Sequence, residues 1–234
     1  MIRIVALIAM VLAGSAYATP PRITASDDRL VGATQTHLYV LRDISDNVGS
    51  HYQDMRDQHL IEIDLETGEA TQYWPLRRIA VSNLETDEYL YPGHVTERAG
   101  DTHDMMAVLR DVGAAPLAPH NRGDHEITLE NGVLMRKGTK LATPFGIRAA
   151  GRAQLAILRD EYPPFETEED YRDTSRINFY DLYAEGDWEC QILPEGQSLS
   201  RAKDRVTVVK LHCEDFEYSG LWSFHMIMRD EIQN

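Results

Sequence analysis

The side chains best suited to chemistry fall into three sets. The first is a group of four arginines at the ends of similar short stretches. Arg42 closes Leu38-Tyr39-Val40-Leu41-Arg42-Asp43, and Arg110 closes the like run from Met106 to Asp111. Arg159 closes Leu155-Ala156-Ile157-Leu158-Arg159-Asp160, and Arg229 closes His225-Met226-Ile227-Met228-Arg229-Asp230. A guanidinium presents a planar fork of donors that captures carboxylate or phosphate bidentately. Gathered on one rim, Arg42, Arg110, Arg159 and Arg229 would form an anion pocket. The simpler expectation is that each arginine pairs with a carboxylate and ties a strand end to its neighbour.

The second set is His120-Asn121-Arg122-Gly123-Asp124-His125-Glu126. His120, Asp124 and His125 are zinc-type ligands, but their spacing matches no established metalloenzyme pattern. A polar turn leading into a hairpin is the plainer reading. The third set pairs imidazole with thioether, in His103-Asp104-Met105-Met106 and in His225-Met226-Ile227-Met228. Soft ligands of this kind suit copper, yet methionine in an apolar stretch is more often core filler. The acidic stretches Asp43 to Asp57 and Glu166 to Asp173 lack the alternating ligand pattern of a calcium loop. No metal or cofactor is expected from these sets. The chain also lacks the nucleophile elbow, the phosphate loop, the dinucleotide fingerprint and the His-Glu-x-x-His pair.

These residues need elements to place them, and β-strands dominate the pattern. His37 to Arg42, His59 to Leu65 and Ala70 to Trp74 read as strands, with a turn at Glu66 to Glu69 and a stop at Pro75. Asp43 to Gln58 reads as a polar loop. Glu126 to Leu129, Asn131-Gly132 and Val133 to Arg136 make a hairpin with a strong turn signal. Thr102 to Gly113 fits a helix capped by Gly113, but the likeness of Met106–Asp111 to the first stretch argues for a strand. Leu155 to Asp160 and Ile177 to Tyr183 read as strands on the same ground. Each repeated stretch is apolar on both faces, as a strand inside stacked sheets must be.

Asp43 and Asp64 are separated by the same interval as Asp160 and Asp181, each second Asp being followed by Leu and then a Gly turn. The expectation is therefore an all-β fold with little helix, built as a propeller-like or duplicated β-meander repeat. A β-sandwich or barrel is the alternative. A single domain is expected over 19–234, duplicated over about 30–146 and 147–234.

Compartment and partner class follow from the ends and the charge. Arg3, the apolar run Ile4 to Leu12 and Ala16-Tyr17-Ala18 form an export signal over 1–18, with cleavage near Thr19. A periplasmic or secreted location follows, with no membrane insertion after cleavage. The formal net charge of −15 repels nucleic-acid backbones and anionic lipid. The two cysteines, Cys190 and Cys213, each point to the apolar face of a strand, and in an oxidising compartment they pair as a disulfide. The function expected on these grounds is an exported, non-catalytic binding or scaffold module with an unknown protein or small-molecule ligand. The alternative is a metal-dependent hydrolase or metal-binding protein using loop 120–126.

Overall fold

The computed structural model describes residues 21–50, 53–82, 94–117, 127–163, 165, 167–179, 189–200, 205–215 and 220–229. The leader expected over 1–18 and the loop 120–126 lie outside the described residues, as does Asp181. Strands dominate. β1 (Thr24–Ala33), β2 (His37–Asp46), β3 (Gln53–Asp64), β4 (Ala70–Ser82) and β5 (His94–Glu97) follow one another as antiparallel neighbours. After β6 (Ala115–Pro116), a three-stranded sheet is made by β7 (Ile127–Glu130), β8 (Val133–Arg136) and β9 (Thr139–Ala142). The last strands, β10 (Glu189–Ser200), β11 (Arg205–Asp215) and β12 (Gly220–Arg229), return to the large sheet. Its order is β10-β11-β12-β1-β2-β3-β4-β5, with β6 on β1. β12 and β1 run parallel. The all-β expectation is correct. The strands form one continuous path and a small second sheet, rather than a ring of separate blades.

Three short helices complete the described fold: α1 (Met105–Asp111), α2 (Pro144–Leu155), continued by a 3₁₀ turn at Ala156–Leu158, and α3 (Glu168–Arg172). They correct the strand reading of two repeated stretches. Met106–Asp111 is helical because Asp104 caps it, its side chain accepting from the Ala107 N–H at 2.7 Å, and Gly113 ends it at φ +70°. Leu155–Asp160 finishes α2 and turns away from it. That helix starts at Thr143, whose hydroxyl accepts from Gly146, with Pro144 in the first turn. Of the four similar stretches, Leu38–Arg42 and His225–Arg229 are strands and the other two are helical, so alike sequences serve different local structures.

Two further readings change. β3 begins at Gln53, inside the supposed polar loop, because Met55 and Asp57 alternate inward while Asp54, Arg56 and Gln58 turn outward. β4 passes through Pro75 to Ser82, and a bulge between the Gln58 and His59 pairings accommodates the missing N–H. The expected hairpin is present as β7–β8, with Asn131 and Gly132 at φ +50° and +73°, the mirror-image turn that matches strand twist. Cys190 and Cys213 face each other across β10 and β11 and form a disulfide.

The large sheet has two covered faces. On the inner face, Leu30, Val40, Ile61, Phe224 and Trp222 pack against Ile147, Leu155 and Leu158 of α2 and its 3₁₀ turn, and against Leu134 of the small sheet. On the outer face, α1 sets Leu109 on Tyr39 and Leu60. Trp222 stacks on Phe224 with ring centroids 4.4 Å apart and leaves room for no side chain at Gly151 of α2, where a Cβ would lie 2.1 Å from the indole. Gly151→Ala must therefore push either the helix or the stacked rings away. The expected cost is about 1–3 kcal/mol of overpacking, measured as a lower urea midpoint at unchanged slope.

Candidate functional site

Polar side chains lie in rows across the inner face, and register sets them out. Asp28 of β1 lies opposite Arg42 of β2, and Arg42 lies opposite His59 of β3. The next row holds Asp57 of β3 opposite Arg78 of β4, with the Arg98 N–H donating to the Arg78 carbonyl at 2.9 Å just past β5. Two consecutive rows thus bring two carboxylates, three guanidiniums and one imidazole together. The segment after α2 adds Glu161 and Tyr162.

Charge in this setting has to be paired, and it is. Arg42 and Asp28 are both fully buried, and Nε and Nη2 of the arginine each reach a carboxylate oxygen at 2.7 Å. The third arm of Arg42, Nη1, donates to the Gln154 carbonyl at 2.9 Å. That carbonyl belongs to the last turn of α2, where backbone oxygens lack partners within the helix and a cation opposes the helix dipole favourably. Asp57 accepts from Arg98 and, at 2.7 Å, from the Tyr162 hydroxyl. Glu161 accepts from Arg78 at 2.5 Å and from the Tyr73 hydroxyl at 3.3 Å.

The state of His59 follows from counting protons. Tyr162 has one hydroxyl proton and gives it to Asp57, so its oxygen must accept from His59, whose Nε2 is 2.6 Å away. Nε2 therefore carries the hydrogen and Nδ1 holds a lone pair. Nδ1 is buried without a hydrogen-bond partner among the described residues. Burial, reinforced by Arg78, Arg42 and Arg98, pushes the imidazole down to about 3. Burial and the charge of Asp57 push the Tyr162 phenol far above its ordinary value, and burial and Glu161 push Tyr73 upward. At neutral pH the cluster thus holds a neutral imidazole between two neutral phenols. It can donate hydrogen bonds at its solvent side, from Arg78 and Arg98. Neither the His59 imidazole nor the phenols of Tyr73 and Tyr162 change charge near pH 7.

Of the arginines singled out in the sequence, Arg42, Arg110 and Arg159 sit in three different settings. Arg42 is on the inner face of the sheet, locked to Asp28. Arg110 is exposed on α1, against the opposite face. Arg159 is exposed beyond the 3₁₀ turn, and Arg229 ends β12, where only its backbone pairing with Val206 is described. His120, Asp124 and His125 lie outside the described residues, and no group of three or more metal-type ligands occurs among those described. Cys190 and Cys213 are consumed in the disulfide.

Sequence reasoning missed Arg78, Arg98, Asp57, Glu161 and Tyr162. A signal was available in the alternation of Met55, Asp57, His59, Ile61 and Ile63, which places an acid and a histidine on the buried face of one strand. The partners across the sheet require the register, which the sequence does not supply.

Two outcomes test this account. Arg42→Met leaves Asp28 as an uncompensated buried charge and should cost about 3–5 kcal/mol, whereas the double change with Asp28→Leu should recover most of it; chemical denaturation of the three variants measures both. For His59, the folded state disfavours the charged form, so the unfolded chain binds the proton first. The His59 contribution is complete above the unfolded value near 6.5 and is lost as pH falls toward about 3. Its limiting slope is about 1.4 kcal/mol per pH unit, and His59→Phe should flatten the stability curve over that window.

No family model matches this chain, and neither a curated protein nor a solved structure matches it.

Proposed function

We propose that the chain is an exported, non-catalytic binding or scaffold protein, working in a periplasmic or secreted setting after loss of the leader over 1–18. The observation that carries the reading is the protonation state of the inner cluster. Its histidine is held neutral down to about 3, its phenols are held neutral upward, and its outermost groups are guanidiniums aimed at carboxylates. Such a set can recognise a ligand but is poorly matched to general acid–base work. The disulfide between Cys190 and Cys213 suits an oxidising compartment. Among the described residues no helix is long and apolar enough to cross a membrane.

Protein purified from its native compartment tests the proposal. Its N-terminus should begin near Thr19, and elemental analysis should find no stoichiometric transition metal. Melting should be unchanged by a chelator. A stoichiometric metal that disappears when His120, Asp124 and His125 are replaced by Ala would overturn the reading in favour of a metal-dependent enzyme.

A further inference from the structure

Arg78 and Arg98 carry more donors than their partners among the described residues use. A guanidinium has five N–H groups. The contact of Arg78 with Glu161 is through Nη1, and that of Arg98 with Asp57 is through Nη2. The Nε atoms of both are buried with no acceptor among the described residues. Leaving a buried donor without an acceptor is costly, and in native structures each such group calls for an explanation. Here two occur on neighbouring backbone segments, on side chains that are 17% and 25% exposed. The backbone also packs closely on Arg78. Gly100 lies against its guanidinium at φ +145°, and a Cβ there would come within 3.1 Å of Nε.

The two carboxylates opposite these arginines differ in how firmly they are held. Asp57 is 1% exposed on a central strand and is held by Tyr162 as well. Glu161 is 20% exposed on a connecting segment, and its second contact is the long one from Tyr73 at 3.3 Å. A ligand can replace Glu161 far more readily than Asp57.

We propose that Arg78 and Arg98 form a subsite for a carboxylate-bearing ligand, and that Glu161 occupies the ligand's place at Arg78 until it is displaced. The proposal rests on the binding role proposed above. Exchanging the Glu161 carboxylate for one carboxylate of the ligand leaves the charge at Arg78 unchanged, and the second carboxylate of a dicarboxylate would meet the part-exposed guanidinium of Arg98. Phosphate would bring added negative charge beside buried Asp57, in a protein whose net charge is already −15, and like charges at short range repel.

The test is calorimetric titration of the mature protein with succinate and with inorganic phosphate, using chloride at matched ionic strength as control. Wild type should bind succinate weakly, because Glu161 competes. Glu161→Gln should bind it at least tenfold more tightly, and more tightly than it binds phosphate. Adding Arg98→Met to Glu161→Gln should abolish that gain. Arg78→Lys keeps the charge and the fold but loses the planar fork, and in the same background should weaken binding at least fivefold. Equal succinate affinity in wild type and Glu161→Gln overturns the proposal. So does a gain that survives the arginine changes in variants whose circular dichroism and melting are native-like. Phosphate binding more tightly than succinate overturns the carboxylate assignment. Binding of a partner that persists unchanged in Arg78→Lys would overturn the subsite while leaving the broader binding role standing.

Discussion

The structure depends on a salt bridge that has been removed from water. Arg42 and Asp28 have no exposed side-chain surface, so their desolvation must be offset by mutual attraction and by satisfying every remaining donor. That requirement constrains three elements at once. β1 must lie against β2 in the register that sets Asp28 opposite Arg42. A slip of β1 by one residue would turn Asp28 to the other face, away from Arg42, and take Leu30 out of the core. The free end of the guanidinium must find an acceptor, and it finds the Gln154 carbonyl at the end of α2. The side chain of Gln154 in turn donates to the His225 carbonyl of β12 and the Gly68 carbonyl of the β3–β4 turn. The position of the helix over the sheet thus follows from where one arginine can be satisfied.

From that pair outward the cluster becomes progressively wetter. Asp28 and Arg42 are sealed, Asp57 is sealed but its partner Arg98 reaches solvent, and both Glu161 and Arg78 are part-exposed. Attraction between unit charges weakens as the effective dielectric rises, so the inner pair is fixed and the outer pair is exchangeable. The Asp57–Tyr162–His59 chain joins the two regimes. Within it, burial holds both the imidazole of His59 and the phenol of Tyr162 in their neutral forms. A second buried pair does related work at the start of β1. Arg22 holds Asp46 at 2.8 Å and donates to the carbonyls of Asp173 and Arg176, while Asp46 also accepts from the Asn178 N–H at 2.6 Å. The irregular segment near residue 178 is thereby tied to the sheet by polar contacts as well as by Ile177 and Phe179.

How much of this was legible in the sequence depended on whether the signal was local. The Asn131-Gly132 hairpin, the strand at Leu38–Arg42 and the pairing of Cys190 with Cys213 were readable, because turn chemistry, two-faced apolarity and a lone cysteine pair are each specific. Met106–Asp111 was misread through its likeness to Leu38–Asp43, although Asp104 and Gly113 marked a capped helix. The likeness lay in apolar residues, which both a buried strand and a short amphipathic helix need; the caps discriminate between them and the composition does not. Thr143-Pro144 carries the same kind of start signal for α2, and it was not read. Arg42 pairs with Asp28, a partner that no spacing rule identifies. Arg78 and Arg98 had no local mark at all. Their meaning arises from register between β3, β4 and β5, and that is a property of the whole sheet.

The place of β1 explains why non-local information dominates here. The first strand of the described chain is not an edge. It lies between β2, its neighbour in sequence, and β12, the last strand, to which it runs parallel. Its inward residues include Thr24, whose hydroxyl donates to the Asn178 carbonyl, and Arg22 just before it is anchored in the same segment. The strand carrying Asp28 therefore gains its full surroundings only when residues near 178 and 220–229 are in place. Pairings of such long sequence separation are slow to form, because loop closure must precede any gain from contact. The local meander β2–β3–β4 can assemble earlier, bringing Arg42 beside His59, while the desolvation of Arg42 is completed only when the helix and the final strand close over it. On this argument the buried pair is the last part of the inner face to become dry, and the groups nearest the solvent, Arg78 and Glu161, are those left free to change partners.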